Sequence, residues 1–120
     1  MKALIEWQWK GYQQFHQSRK NLLIHIFAVP AFLLANIGLL VSFIRGFYLI
    51  APLMLVVMLF SIAVQGKGHA QEPVASIPFN SAGNAIARLL IEQWINFPRF
   101  VLSGAWWRAW QTSAQGNQNS

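Results

Sequence analysis

Two long apolar stretches occupy the middle of the chain and are separated by a short turn. The first covers residues 21–44 and the second residues 46–66, and neither contains a Lys, Arg, Asp or Glu residue. A helix needs about 20 predominantly apolar residues to cross the hydrocarbon core of a bilayer. The pattern therefore predicts two membrane spans, near residues 21–44 and 47–66, that form a helical hairpin about Arg45–Gly46.

Shorter mixed segments flank this predicted hairpin. Residues 3–17 alternate aromatic and aliphatic side chains with Lys and Gln, which is typical of an amphipathic helix lying in the membrane interface. Residues 84–96 place apolar side chains near one face and predict a surface helix. We expect Pro98 to break the chain, and residues 99–112 to form a short aromatic helix that contains three tryptophans.

These elements define an all-α integral membrane protein, with a transmembrane helical hairpin and interfacial amphipathic helices at both ends. Residues 1–111 are predicted to form a single membrane-embedded helical domain, because 120 residues leave room for only one. Residues 112–120 contain Gln, Asn, Gly and Ser with few apolar side chains, which predicts a disordered polar tail.

Composition and charge support the membrane class and suggest an orientation. Hydrophobic residues make up 55% of the chain and charged residues only 10%, against about 25% charged in soluble domains. Eight of the nine basic residues flank the hairpin and only Arg45 lies in its turn. Since basic residues favour the cytoplasmic face, both termini are predicted to be cytoplasmic, in the inner membrane if the protein is bacterial or the endoplasmic reticulum if eukaryotic. The net charge of +6 is better explained by contact with the lipid bilayer than by nucleic-acid binding, which we do not expect.

The three histidines of the chain fall at one end of the predicted hairpin. His25 lies 20 residues before Arg45, and His69 lies 23 residues after Gly46. At about 1.5 Å per residue, an antiparallel hairpin brings these two to similar depth. His16 precedes His25 by nine residues, so the chain must bend between them, near residues 17–19, if both bind one ion. Imidazoles that converge at a membrane boundary indicate a metal site formed by His16, His25 and His69.

Three further polar residues are candidates for roles near this site. Asn21 is four residues before His25 and shares its helix face. Glu72 follows His69 closely and is either a metal ligand, a partner that orients His69, or a solvated carboxylate. Glu92 is expected to pair with Arg88, four residues earlier on a helix.

The residues alone leave the metal and the function open. Without cysteine, any ligand set must use nitrogen and oxygen, which suits iron, zinc, copper or nickel. Three His with an open position, or two His with Glu72, both fit catalytic sites. The alternatives are a haem-binding electron carrier with His25 and His69 as axial ligands, and a membrane assembly protein without enzymatic activity.

Two segments resemble motifs of a known family. Residues 15–30 (FHQSRKNLLIHIFAVP) resemble the His-x4-Asn-x3-His segment, followed by Pro, of the yeast-type 2-hydroxy fatty acid dioxygenases, a family long described as a domain of unknown function. Residues 65–73 (QGKGHAQEP) are similar to its second motif, a Gly-His followed by Glu and Pro, with Glu72 one residue closer to His69. With the hairpin, the resemblance covers about residues 12–80.

The resemblance implies an enzyme that uses Fe(2+) and O2 to shorten a long-chain 2-hydroxy fatty acid by one carbon. By position, His16, His25 and His69 would be the iron ligands, and Asn21 would orient a ligand or the substrate. The acyl chain would lie in the bilayer beside Phe27, Phe32 and Phe60. The oligomeric state is not indicated by the sequence.

Overall fold

The computed structural model describes residues 1–118, with side chains to residue 113, and this part of the chain contains helices and loops but no strand. The helices are α1 (Lys2–Tyr12), α2 (Arg19–Arg45), α3 (Ile50–His69), α4 (Ala82–Ile91), α5 (Phe97–Leu102) and α6 (Ala105–Gln118), with a 3-10 turn at Gln13–Phe15 and a π-helical turn at Glu92–Asn96. The predicted all-helical class is confirmed.

Helices α2 and α3 are long and apolar enough to cross a membrane. Helix α2 begins after Ser18, whose Oγ accepts a hydrogen bond from the Asn21 N–H, and ends at Gly46, which has φ 73° and so adopts the left-handed conformation that glycine allows. Helix α3 begins three residues later than the predicted span 47–66. It also ends three residues later, because the chain stays helical through both Gly66 and Gly68.

The two long helices pack against each other in opposite directions. Ser61 of α3 donates a hydrogen bond of 2.6 Å to the Ala28 carbonyl of α2, Gly38 lies against Met54, and Gly68 lies against Asn21. Since positions that advance along α2 meet positions that retreat along α3, the pair is antiparallel. Gly68 allows α3 to approach α2 closely, since a Cβ at this position would overlap Asn21 Oδ1.

The outward faces of α2 and α3 carry large apolar side chains. Phe27 is 75% exposed, Leu34 69% and Phe60 71%. A solvated surface does not usually collect so many apolar groups on two adjacent helices. These faces are suited to contact with lipid.

The remaining helices gather around the end of the pair that holds residues 19 and 69. Their shared core contains Tyr12, Leu22, Val29, Phe97, Phe100 and Ala109. Trp106 of α6 packs against this core, and its indole N–H donates a hydrogen bond of 3.1 Å to the Leu22 carbonyl. The short helices therefore enclose one end of the pair and leave the other end bare.

The predicted break at Pro98 is wrong. The chain remains helical from Ala82 to Leu102, because a π-helical turn, in which the Phe97 N–H donates to the Glu92 carbonyl, precedes α5. Pro98 then falls in the first turn of α5, where its missing N–H is not needed. The chain turns instead at Ser103–Gly104, where Gly104 has φ 83°.

Helix α6 also extends into the segment predicted to be a disordered tail. It includes residues 112–118, and the hydroxyl groups of Thr112 and Ser113 donate hydrogen bonds to the Arg108 and Trp110 carbonyls of the same helix. Residues 119 and 120 of the predicted tail lie outside the described residues.

Candidate metal centre

The structure brings the three histidines together, although they come from three separate elements. His16 follows the 3-10 turn, His25 lies in the second turn of α2, and His69 is the last residue of α3. Their ring centroids are 4.8 to 5.0 Å apart, and each pair meets edge to face. His16 and His25 are almost completely buried, with 2% and 0% of their surface exposed.

A carboxylate that the sequence analysis assigned elsewhere completes the cluster. Glu92 Oε1 lies 3.4 Å from His16 Nε2, 3.3 Å from His25 Nε2 and 3.8 Å from His69 Nε2. One ligand atom from each of the four residues can be chosen so that all lie within 4.8 Å of one another. This group of four, which we call the His3Glu centre, could hold a metal ion.

The predicted pairing of Glu92 with Arg88 is wrong. The Arg88 guanidinium donates hydrogen bonds to the Ile77 and Pro78 carbonyls, at 2.9 and 3.2 Å. Glu92, the first residue of the π-helical turn, instead directs its carboxylate to the three histidines. The sequence contained a signal that Glu92 lies in a buried polar site, since Glu92, Gln93 and Asn96 place three polar side chains within an apolar segment.

Backbone carbonyls orient two of the imidazoles. His16 Nδ1 lies 2.6 Å from the Tyr12 carbonyl and His25 Nδ1 lies 3.0 Å from the Asn21 carbonyl. Because a carbonyl only accepts, each Nδ1 carries a proton and donates it to the carbonyl, and each Nε2 is directed toward Glu92. The Nε2 atoms of His16 and His25 are buried and lack a hydrogen-bond partner. Such atoms are rare unless something binds them, and this arrangement is the one seen in metal-bound histidines.

Burial and mutual contacts shift the pKa values of Glu92 and His16 in the centre. Burial acts to raise the pKa of the Glu92 carboxyl, but its contacts with His16, His25 and His69 outweigh burial and hold this pKa well below its usual value. Burial also lowers the pKa of His16. An ionised carboxylate and a neutral imidazole are the forms that bind metal ions.

Tyr12 borders the centre without joining it. Its hydroxyl donates a hydrogen bond of 3.3 Å to Glu92 Oε1, and its ring stacks on His16 with centroids 3.9 Å apart. Burial, followed by the charge of Glu92, raises the pKa of Tyr12 well above its usual value. Tyr12 therefore remains a neutral donor that holds both His16 and Glu92 in position.

Glu72 and Asn21 lie beside the centre and bind each other. Asn21 Nδ2 donates a hydrogen bond of 2.7 Å to Glu72 Oε2, and the backbone N–H groups of Gln17 and Ser18 donate to the same carboxylate at 2.7 and 3.0 Å. The four-residue group that could hold a metal does not include Glu72. Its carboxylate instead fixes the bend between His16 and α2, at residues 17–19 where the sequence analysis required one.

Buried amides hold the element that carries Glu92. Gln93 and Gln65 exchange two hydrogen bonds, of 2.7 and 3.0 Å, which join the π-helical turn to α3. Asn96 donates to the Ile5 carbonyl of α1 at 3.2 Å. The π-helical turn is thereby attached on two sides, so that the position of Glu92 is determined by the surrounding helices.

Comparison with protein-family models, with curated proteins and with solved structures finds no match to this chain. The class of site is therefore argued from geometry. The donor set is three imidazole nitrogens and one carboxylate oxygen, which suits a divalent transition metal.

Proposed function

We propose that the protein is a membrane-embedded metalloenzyme that binds Fe(2+) in the His3Glu centre and uses O2 to shorten a long-chain 2-hydroxy fatty acid by one carbon. The overall reaction balances as one 2-hydroxy acid and one O2 giving the acid one carbon shorter, CO2 and water. The choice of substrate and metal is based on the resemblance of residues 15–30 and 65–73 to the 2-hydroxy fatty acid dioxygenases.

The single observation that supports metal binding is the convergence of four ligand atoms, two of which have no hydrogen-bond partner. With bonds of about 2.0–2.2 Å, two ligands of a tetrahedral ion lie about 3.3–3.6 Å apart. The distances from Glu92 Oε1 to the three Nε2 atoms, 3.4, 3.3 and 3.8 Å, are close to this range. A site with four protein ligands can still expand to admit substrate and O2.

The residues of the chain contribute binding and orientation to the reaction. His16, His25, His69 and Glu92 would hold the ion, and a bound iron(II) would supply the redox chemistry of O2 activation, with the four electrons of the overall reaction coming from the 2-hydroxy acid. The Tyr12 and Asn21 carbonyls keep the Nε2 atoms of His16 and His25 directed inward. The phenol of Tyr12 provides a neutral hydrogen-bond donor beside Glu92.

The geometry argues against the haem alternative. Two axial histidines of a haem face each other across the porphyrin, whereas the His25 and His69 rings lie only 4.8 Å apart and meet edge to face. A third imidazole and a carboxylate converge on the same point. This arrangement suits a single ion and leaves no flat space between the two rings.

We further propose that α2 and α3 span the membrane as a hairpin, with the interfacial helices and both termini on the cytoplasmic side. The apolar outer faces of both helices and the eight basic residues that flank the hairpin support this orientation. The His3Glu centre would then lie at the cytoplasmic boundary, where a fatty acid can enter from the bilayer.

The test is metal analysis followed by a chemical assay. Gently purified protein, reconstituted in lipid, is analysed for bound metals and incubated with a long-chain 2-hydroxy acid, Fe(2+) and O2. We expect stoichiometric iron and an acid shortened by one carbon. Product formation without O2, or equal activity with zinc in place of iron, would contradict the oxygenase, even if the centre binds metal.

A further inference from the structure

A cavity of about 670 Å³ lies directly beside the His3Glu centre. Its walls come from α1, from the last turns of α3, from the loop before α4 and from α4 itself. The apolar part of the wall includes Trp7, Phe15, Ile62, Phe79 and Leu89. Its volume lies within the range of about 300–1,000 Å³ that is typical of small-molecule sites.

Part of the cavity wall is formed by residues of the His3Glu centre. His16, His69 and Glu92 all line it. A molecule in the cavity would therefore contact both apolar walls and metal-ligating groups. Lys10 also lines the cavity and is exposed, which gives the site a cation able to attract an acidic group.

The cavity differs from the place that the resemblance suggested for an acyl chain. Phe27 and Phe60 lie on the outer faces of α2 and α3, with 75% and 71% of their surface exposed, and Phe32 is buried at 1%. None of the three lines the cavity. An acyl chain beside Phe27 or Phe60 would lie among the lipids rather than in a protein site.

Arg88 holds the loop wall of the cavity in place. Its guanidinium donates hydrogen bonds to the Ile77 and Pro78 carbonyls, and it lies over the rings of Phe79 and Trp7, at 4.4 and 5.1 Å. The loop is thereby tied to α1 across the cavity. Because these contacts occupy Arg88, Lys10 is the better candidate to meet an acidic ligand group.

We propose that this cavity binds the apolar chain of an amphiphile with one chain and an acidic head, with the head at the His3Glu centre and near Lys10. The proposal rests on the proposed function for the role of the metal. The binding of the chain depends only on the walls of the cavity, so the two can be tested separately.

Gly66 offers a way to fill the cavity without disturbing the centre. It lines the cavity, and a Cβ added there would meet no atom within 4 Å. Gly66→Phe should therefore fold, because replacing a glycine within a helix also favours the helix by up to about 1 kcal/mol. Gly83→Phe is the matched control, since Gly83 lies in a helix outside the cavity wall and a Cβ there would make only an ordinary contact with Ser81 Oγ, at 3.9 Å.

The probe is a long-chain fatty acid that carries a diazirine near its methyl end. After photolysis of reconstituted protein, labelled positions are mapped by mass spectrometry, with and without an excess of unlabelled fatty acid. We expect competable labelling in residues 7–15, at Ile62 and in residues 76–79. Gly66→Phe should lower this labelling by about tenfold or more, whereas Gly83→Phe should leave it unchanged.

Two results would overturn the proposal. One is labelling confined to the outer faces of α2 and α3, and the other is cavity labelling that neither competitor nor Gly66→Phe reduces. Metal content is measured on the same preparations. Competable cavity labelling in a protein that binds no metal would contradict the proposed function and leave the chain-binding site standing.

Discussion

At the scale of single residues, the centre depends on which nitrogen of each imidazole faces inward. His16 and His25 both direct Nδ1 to a backbone carbonyl four residues earlier, at Tyr12 and Asn21. Every residue has a carbonyl, so no side-chain type at position 12 or 21 reveals this arrangement in the sequence. The sequence shows which imidazoles are available, and the helical backbone determines the atoms they present.

Glu92 provides the sharpest test of the centre at this scale. Glu92→Gln removes the negative charge of the proposed ligand while keeping its size. We therefore expect metal affinity to fall by about tenfold to a hundredfold. Glu6→Gln is the control, because Glu6 is an exposed acid on α1. The metal content of the two variants is compared after dialysis against increasing concentrations of a chelator. Equal metal retention by the two variants would exclude Glu92 as a ligand.

Glu72 is expected to act by position rather than as a ligand. Its carboxylate accepts from Asn21 Nδ2 and from the N–H groups of Gln17 and Ser18. Glu72→Ala should lower the free energy of unfolding by about 1–3 kcal/mol and loosen His16. Glu72→Gln keeps one acceptor oxygen and should restore part of the stability, and metal affinity should follow stability in both variants. If Glu72→Gln is as stable as the parent and yet loses metal as completely as Glu72→Ala, Glu72 is itself a ligand.

At the scale of elements, the sequence reveals the long helices and hides the contacts between distant ones. The two apolar stretches stand out because neither contains a charged residue, and both became helices within about three residues of the expected ends. The π-helical turn could not be predicted, because its register depends on hydrogen bonds of Gln93 with Gln65 and of Asn96 with Ile5, which are far away along the chain. Glu92 was missed for the same reason: local spacing favours Arg88, whereas packing places it against three distant histidines.

The close contact of α2 and α3 near the centre should be sensitive to a single methyl group. Gly68→Ala would drive a Cβ into Asn21 Oδ1, and we expect it to lower the free energy of unfolding by about 1–3 kcal/mol. Gly66→Ala, two residues earlier on the same helix, meets no atom within 4 Å and should be neutral or slightly stabilising. Thermal unfolding in detergent compares the two. A Gly68→Ala variant as stable as Gly66→Ala would show that the helices do not approach as closely as described.

At the scale of the whole molecule, polar chemistry is concentrated at one end. The His3Glu centre, the buried Gln65–Gln93 pair and the cavity all lie where the short helices enclose α2 and α3. The opposite end carries the turn at residues 46–49 and large exposed apolar groups, including Leu49 at 94%. Such polarity fits a protein anchored in a bilayer by its apolar end, with its chemistry at the boundary.

The orientation of the molecule can be measured because the chain has no cysteine. Single cysteines introduced as Lys2→Cys and Leu49→Cys place a thiol at each end of the molecule, and both parent residues are exposed. Since basic residues favour the cytoplasmic side, a membrane-impermeant maleimide added to intact bacterial spheroplasts should label Leu49→Cys at once. Lys2→Cys should react only after the membrane is permeabilised. The reverse pattern would invert the proposed orientation, and labelling of both thiols from the same side would show that the hairpin does not cross the bilayer.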